Sequence, residues 1–343
     1  AQRAAAVLDL EATRRWQLVA IEQARRLGRP ARERARMASD FRSMVWHETD
    51  AAERVRVLAE GRQLLEPAAA LGGADLELWG ELGAGLAQAT YEDGDGDAAQ
   101  IILEDAAETL RPSSPSAARA RVLQTLGWLL WHRFRFDAAT PVMEEAIAES
   151  KASGADDVYR WALHEAGVLN GFLGDPDRGL ELLGRSYELA VEASDHALMT
   201  RCYVNIPSTR INSGYPLAEA ARLLDIGLTR ARRSSAHGSI AFLADNRSSA
   251  HWFMGEFEQA FELSAGALDS VWRAGFPDLE TSAYRAQSNA LFALGRYEEA
   301  SQLLDRALDQ ETGDRQHYQW LLVSQSWRDF SEDPNAAVAR LRW

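Results

Sequence analysis

Cysteine is almost absent from this sequence of 343 residues, since Cys202 is the only one. An internal disulfide is therefore excluded, and a lone cysteine suits a reducing cytoplasm. Lys151 is likewise the only lysine among 37 basic residues. Because no glycines precede it, a phosphate-binding loop of the G-x-x-x-x-G-K-[S/T] type is excluded. A G-x-S-x-G nucleophile elbow is missing as well. We therefore expect a protein that is not an enzyme and that uses no cofactor.

Long apolar runs and positive charge are also scarce. No stretch approaches the 18 apolar residues of a membrane span, and residues 1–16 carry charges where a signal peptide needs its apolar centre. We therefore expect a cytoplasmic protein that does not bind a membrane. The net charge is −14, and no basic stripe is visible. Because phosphate neutralisation supplies most nucleic-acid affinity, direct nucleic-acid binding is not expected.

Patterns of metal ligands are weak. The seven histidines form no H-E-x-x-H pair, and in His47-Glu48 and His164-Glu165 adjacent side chains should point to different helix faces. The run Asp93–Glu104 resembles a calcium-binding loop, but Ala98 stands where that loop needs glycine. The repeat described below also places Asp97–Glu104 inside a helix. We therefore expect a solvated turn followed by an acidic helix start, and no metal site.

What the sequence does contain is a repeat of 40 residues. Ser288–Leu308 has the pattern of a helix end, a turn at Gly295 and a second helix, and Ser248–Leu268 shows the same pattern 40 residues earlier. Helical hairpins that pack only on copies of themselves must keep their small residues in step. Small or tightly packing residues recur in the first helix, helix A, at Ala87, Gly127, Gly167, Pro207, Ser248 and Ser288. In the second helix, helix B, they recur at Ala99, Ala139, Gly179, Ala220, Ala260 and Ala300, and seven residues later at Ala106, Ala146, Ser186, Gly227, Ala267 and Ala307.

The two best copies, Gly295–Ala300 and Gly255–Ala260, carry the motif G-x-[Y/F]-x-x-A. This pattern resembles the tetratricopeptide repeat (TPR) over about residues 80–320. The period is 40 rather than the usual 34, and the closing proline is mostly absent. Longer repeats of this kind resemble those found C-terminal to the ATPase module in bacterial LuxR-type and related STAND regulators. Because the chain also begins without methionine, we expect a fragment of a larger protein with an upstream ATPase or DNA-binding domain.

The resemblance implies an all-α fold, a right-handed α–α superhelix of about seven or eight TPR-like hairpins. We predict an irregular helical cap over residues 1–78, with helices at 9–28, 31–46 and 51–71. Six repeats follow over 79–315, with hairpins of roughly 78–110, 116–153, 156–194, 195–233, 235–274 and 276–312. A C-terminal capping hairpin, His317–Phe330 and then Asn335–Trp343, covers 316–343. All of these are expected to form one continuous solenoid.

In TPR arrays, certain positions of helix A line a concave groove. Carried over by register, these positions predict a ligand-binding groove at Gln124, Trp128, Trp131, Trp161, His164, Asn205, Asn212, Asn246, Trp252, Arg285, Asn289 and Phe292. Arg201 falls at the same phase. Amides can both donate to and accept from an extended peptide backbone. The alternative is structural: Trp128 and Trp131 could pack between helices, and Asn205 and Asn246 could satisfy carbonyl groups or water.

Binding is therefore the leading functional prediction. The chain would be a sensor or interaction region of a bacterial signalling or transcriptional regulator, and would bind a peptide, partner protein or small effector in the groove. The alternative is a stand-alone scaffold for folded protein partners. An enzyme built on the helical stack is the third and weakest option, because no nucleophile–base pair or metal cluster is visible.

Overall fold

The computed structural model describes residues 10–44, 51–233, 236–274, 277–309 and 315–330, together with positions 333, 335 and 338. These residues are almost entirely helical, and no β-strand occurs among them. Chain contacts divide the protein into two compact units, unit 1 at Ala1–Leu169 and unit 2 at Asn170–Trp343. Over the described ranges, no helix is long and apolar enough to cross a membrane.

Unit 1 is a stack of antiparallel helices. They are α1 (Leu10–Arg26), α2 (Ala31–Met44), α3 (Ala51–Gln63), α4 (Gly73–Glu92), α5 (Gly96–Leu110), α6 (Ala117–His132), α7 (Phe136–Ser153) and α8 (Asp156–Phe172), whose last turn runs into unit 2. Helix α3 was predicted to continue to residue 71, but it ends at Gln63. Pro67 explains the difference, because it has no N–H to donate to the carbonyl of Gln63.

Unit 2 continues the same pattern. Its helices are α9 (Pro176–Glu192), α10 (His196–Asn212), α11 (Leu217–Arg233), α12 (His237–Phe253), α13 (Phe257–Ala274), α14 (Pro277–Ala293), α15 (Tyr297–Leu308) and α16 (Arg315–Asp329). The observed helices match the predicted hairpins to within a few residues. Most of the predicted last helix, Asn335–Trp343, lies outside the described residues, as does His47-Glu48.

The helices alternate between helix A and helix B, as the repeat predicts. The A helices are α4, α6, α8, α10, α12, α14 and α16, and the B helices lie between them. Within unit 1, α4 contacts α6 directly, and within unit 2, α10, α12, α14 and α16 contact one another in succession. These A helices therefore pack directly against one another within their unit. The predicted fold class, all-α and built from TPR-like hairpins of the α–α superhelix type, is confirmed.

Helices A and B approach closely at the small positions of the repeat. Ala260 and Ala300 are fully buried. The hydroxyl of Ser248 donates to the carbonyl of Ala260 at 2.8 Å, and Ser288 donates to the carbonyl of Ala300 at the same distance. The same type of hydrogen bond therefore occurs at the same register position in both repeats. A small residue recurs there because a larger one would push the helices apart.

Candidate ligand-binding site

The twelve predicted groove residues all lie on A helices, but they fall into two sets. Five lie in unit 1 and seven in unit 2. The unit 1 set consists of Gln124, Trp128, Trp131, Trp161 and His164, and the unit 2 set of Asn205, Asn212, Asn246, Trp252, Arg285, Asn289 and Phe292. We call these the A faces of unit 1 and of unit 2. Whether these residues contact a ligand stays a prediction; the structure shows what each contacts within the chain.

An aromatic cluster dominates the A face of unit 1. Trp128 and Trp131 are each only 8% exposed. The ring of Tyr91, on α4, packs edge-on against Trp128 with centroids 5.2 Å apart. The ring of His132 lies 3.6 Å from that of Trp131 and 4.4 Å from that of Trp128, measured between centroids. Most of the surface of both tryptophans is therefore buried by packing within the chain.

A buried carboxylate holds this cluster together from α8. The indole Nε1 of Trp131 donates to Oε2 of Glu165 at 3.1 Å, and Nδ1 of His164 lies 3.1 Å from Oε1 of the same carboxylate. Glu165 and His164 are both buried. The prediction that these adjacent side chains point apart is wrong, because the Glu165 carboxylate turns back to meet the imidazole. Burial favours this contact, since an unpaired carboxylate there would be costly.

Gln124 and Trp161 are the more accessible members of the unit 1 set. Both are half-buried, on α6 and α8 respectively. The ring of Trp161 meets that of His164 edge-on, with centroids 5.8 Å apart. Only these two of the five keep substantial surface for a ligand.

On the A face of unit 2, Asn246 is used by the fold. Its Nδ2 donates to the carbonyl of Val204, on α10, at 3.3 Å. Pro207 lies inside α10 and has no N–H, so the helix lacks one hydrogen bond close to that carbonyl. The side-chain amide of Asn246, on α12, therefore donates to a backbone carbonyl next to the missing hydrogen bond. This contact supports the structural alternative for Asn246, in which its side chain satisfies a carbonyl group.

Two further contacts join α12 to α14. Nη2 of Arg285 lies 3.5 Å from Oδ1 of Asp245, and the indole Nε1 of Trp252 donates to the backbone carbonyl of Asn289 at 3.2 Å. The side-chain oxygen of Asn289 is different. It is buried and has no hydrogen-bond donor among the described residues. Buried amide oxygens are normally paired, so an unpaired acceptor at this position is unusual.

The remaining members of the unit 2 set have varied surroundings. Asn205 is half-buried on α10, one turn after Arg201. Asn212 is exposed near the end of α10 and donates to the hydroxyl of Ser208 at 3.5 Å. Phe292 packs against the apolar cluster of α15 and α16, and is therefore partly a core residue.

Glu165 is the residue of this region that sequence reasoning missed. It occupies the same register position as Asn205 and Asn246, 40 residues before Asn205 and 81 before Asn246 once the one-residue slip is included. The phase that selected those asparagines would have found it. Its contact with Trp131 depends on a neighbouring helix and has no local sequence signal.

The acidic run Asp93–Glu104 is used in capping and pairing. The carboxylate of Asp95 accepts from the N–H of Ala98 at 2.9 Å and caps α5. Asp97 pairs with Arg133 at 2.5 Å. Asp97–Glu104 is helical, as predicted. In the part of the chain that the structure describes, no group of three histidine, cysteine or acidic side chains is arranged to hold a metal.

A shallow cavity of about 590 Å³ lies in unit 1, away from the predicted residues. It is lined by Arg62, Gln63, Glu66, Pro67, Ala68, Trp79 and Asp105. The guanidinium of Arg62 stacks 4.0 Å from the centre of the Trp79 ring and pairs with Asp105 at 3.1 Å. Burial lowers the pKa of Arg62 despite that partner. The aromatic face is therefore already covered by a side chain of the protein.

No family model matches the chain, and no curated protein matches it. Solved structures do match. A Rap protein complexed with competence and sporulation factor has a TM-score of 0.67 at 12% identity, and the match covers 90% of this chain and 85% of that one. NprR in complex with its cognate peptide NprX has a TM-score of 0.64 at 14% identity, covering 89% and 86%.

The APC/C hetero-tetramer Cut9–Hcn1 has a TM-score of 0.58 at 11% identity, covering 90% of this chain and 55% of that one. At such identities, the likeness is one of fold. The chain is therefore similar in fold to TPR-like helical repeat proteins.

Proposed function

We propose that this chain is the binding region of a regulator and that it receives a peptide on the A face of unit 2. The observation that carries the proposal is the side-chain oxygen of Asn289, a buried acceptor without a donor among the described residues. An extended peptide brings N–H groups that need acceptors, and leaving one unpaired costs about 1–3 kcal/mol. The amide torsion of asparagine is broad, so a small rotation can turn this oxygen toward a ligand.

The surrounding A face suits an extended chain. Asn205 and Asn289 place amides on α10 and α14, with Trp252 of α12 between them. The indole of Trp252 is fixed by its bond to the carbonyl of Asn289. A fixed aromatic ring beside an unpaired amide offers one apolar and one polar contact. One of the solved structures of similar fold, NprR, is in complex with its cognate peptide, which supports the same proposal.

Unit 2 is the better candidate because the side-chain oxygen of Asn289 on its A face is buried without a donor among the described residues. In unit 1, Trp131 and His164 share the carboxylate of Glu165, and Trp128 is packed between rings. Breaking these contacts to admit a ligand would leave buried polar groups unpaired. We therefore propose binding rather than catalysis, and assign it to unit 2.

The test compares two asparagines of the same face. A fluorescein-labelled random hexapeptide pool is titrated by fluorescence polarisation, and the melting temperature is measured in parallel. Asn289→Ala should weaken binding about tenfold or more, since one paired amide contributes about 1.4 kcal/mol, and should leave the melting temperature nearly unchanged. Asn246→Ala should lower the melting temperature, because Asn246 bonds to the Val204 carbonyl.

Equal binding by wild type and Asn289→Ala would contradict the assignment of this residue. Unchanged binding in Asn205→Ala, Asn289→Ala and Trp252→Ala together would remove the A face of unit 2 as the peptide site.

We further propose that the chain works in the cytoplasm and is joined to an ATPase or DNA-binding domain in a larger bacterial regulator. Binding would then be passed on through the helical stack. Sequencing the complete reading frame tests this directly. A frame that encodes neither kind of domain would contradict it.

A scaffold for a folded partner is the second candidate, and one observation favours it. Phe253 is 54% exposed and Trp327 57% exposed, and both rings lie beside Trp252, with centroids 5.2 and 5.5 Å from it. Aromatic side chains exposed together are typical of protein interfaces. Phe253→Ser with Trp327→Ser should abolish capture of a folded partner and spare the peptide pool. Partner capture that survives the double change would contradict the scaffold role of this patch.

A further inference from the structure

Arg201, one turn before Asn205 of the A face of unit 2, is an arginine without a carboxylate partner among the described residues. It is half-buried on α10, and its guanidinium carbon lies 5.8 Å from the centre of the Phe242 ring on α12. Among the described residues no acidic oxygen forms an ion pair with it. Its guanidinium nitrogens are not among the buried unpaired atoms, so solvent or a ligand can reach them.

The other half-buried arginines in the described part of unit 2 are all paired. Arg210 meets Glu219 at 2.8 Å, Arg247 meets Asp225 at 2.9 Å, Arg285 meets Asp245 at 3.5 Å, and Arg328 meets Asp305 at 2.6 Å. The chain as a whole carries 51 acidic residues against 37 basic ones. Although the protein has an excess of acidic residues, Arg201 differs from these arginines in having no carboxylate partner among the described residues.

Phe242 restrains the side chain of Arg201. An arginine near an aromatic face is held in place by cation–π attraction, so less side-chain freedom is lost when an anion binds. The one acidic residue of α12, Asp245, is already paired with Arg285. Arg201 and Asn205 are four residues apart on one helix, and therefore face the same way.

We propose that Arg201 binds a carboxylate of the peptide, with Asn205 beside it for the peptide backbone. This inference rests on the proposed function and adds the chemical class of the ligand, an acidic peptide. The guanidinium can donate two parallel hydrogen bonds to a carboxylate, from either an acidic side chain or a free C-terminus. Peptides with an acidic group should therefore bind at least about tenfold more tightly than their amide counterparts.

Affinity selection on the immobilised full chain tests the proposal. Random hexapeptide pools are applied, the retained peptides are sequenced by mass spectrometry, and acidic residues are counted against glutamine and asparagine. One pool has a free C-terminus, a second is C-terminally amidated, and a third contains no aspartate or glutamate. Wild type should enrich acidic peptides, and Arg201→Gln should lose that enrichment while still retaining peptides.

Two variants complete the design. Arg222→Gln, which removes an exposed arginine of α11, should keep the enrichment and shows that net charge alone is not responsible. Arg201→Lys keeps the charge but loses the two-pronged geometry, and should retain only part of it.

Retention that falls only with amidation assigns the carboxylate to the peptide terminus. Retention that falls only in the pool without aspartate or glutamate assigns it to a side chain. Enrichment unchanged in Arg201→Gln, or no acidic preference in wild type, overturns this inference and leaves the peptide function standing. No retention of any pool contradicts the peptide function itself.

Discussion

Glycine at the turn between helices A and B is required by the backbone conformation. Gly255 and Gly295 have φ of +78° and +75°, in the left-handed region that side chains avoid. Gly266, inside α13, has helical geometry and open space around the position of a Cβ. These glycines therefore differ in what an added methyl group would do.

Gly255→Ala should destabilise the protein by about 1 kcal/mol, because alanine is strained at positive φ. Gly266→Ala should stabilise it by about 0.5–1 kcal/mol, because alanine is the better residue inside a helix. Urea unfolding followed by circular dichroism measures both. Shifts of the same sign would contradict the assigned turn.

Two tyrosines of unit 2 share a proton-sensitive contact. The hydroxyl groups of Tyr187 and Tyr203 lie 2.8 Å apart, and the guanidinium of Arg230 donates to that of Tyr203 at 3.1 Å. Burial, and then the hydrogen bond to Tyr203, raise the pKa of Tyr187 to about 12. The folded protein therefore favours the neutral phenol.

Because the folded pKa lies above the ordinary value of 10, this contribution to stability is complete below pH 10 and is lost as the pH rises toward 12. The melting temperature of wild type should fall over that interval, and Tyr187→Phe should show a shallower fall. Absorbance at 295 nm should also show one late-titrating tyrosine fewer in the variant. Identical melting profiles would contradict the shift.

At the scale of the element, each hairpin depends on close contact between helix A and helix B. Ala260 is fully buried, and its carbonyl accepts the hydroxyl of Ser248. Ala260→Leu should destabilise by about 1–3 kcal/mol, because overpacking forces neighbouring side chains off their rotamers. Ala218→Leu, at an exposed position of α11, is the matched control and should change stability little. Equal melting temperatures for the two variants would mean that the repeat register is wrong.

A buried ion pair anchors the connection between α5 and α6. Arg119 contacts Glu149 at 3.1 Å and Glu145 at 2.5 Å; the side chain of Glu149 is 8% exposed and that of Glu145 50%. Glu149 also accepts from the hydroxyl of Ser114 and the N–H of Ser116. One carboxylate thus satisfies three donors from the loop and the helix start.

Glu149→Ala should destabilise by about 3 kcal/mol, because a buried arginine loses its buried partner and two loop donors lose their acceptor. Glu145→Ala removes the exposed partner of the same arginine and should cost less than about 1 kcal/mol. Thermal unfolding of the pair of variants measures the difference. Similar losses would show that burial does not set the value of this network.

At the scale of the whole molecule, the fold alone does not identify the function. Similarity at 11–14% identity extends over about nine-tenths of this chain, and helices A and B alternate along its described repeats. Side chains on the A faces are not constrained by that alternation. The ligand therefore has to be inferred from individual contacts, such as those of Asn289 and Arg201.

The sequence alone determined the helical repeat and its register. The 40-residue spacing of Ala260 and Ala300 is a local steric requirement repeated along the chain, so it can be counted in one sequence. The turn glycines and the helical position of Asp97–Glu104 followed from the same count. The end of α3 does not follow from this count, because it is set by Pro67, which has no N–H for the carbonyl of Gln63.

Only the tertiary structure decided which polar residues of the A faces are already used. Asn246 bonds to a carbonyl 42 residues away, and Trp131 to a carboxylate 34 residues away. The same register position holds Asn205, Asn246 and Glu165, yet their surroundings differ. Hydrogen-bond partners on neighbouring helices depend on distances and side-chain rotamers that periodicity does not encode. A repeat therefore specifies where a side chain stands, and packing decides whether it remains available to a ligand.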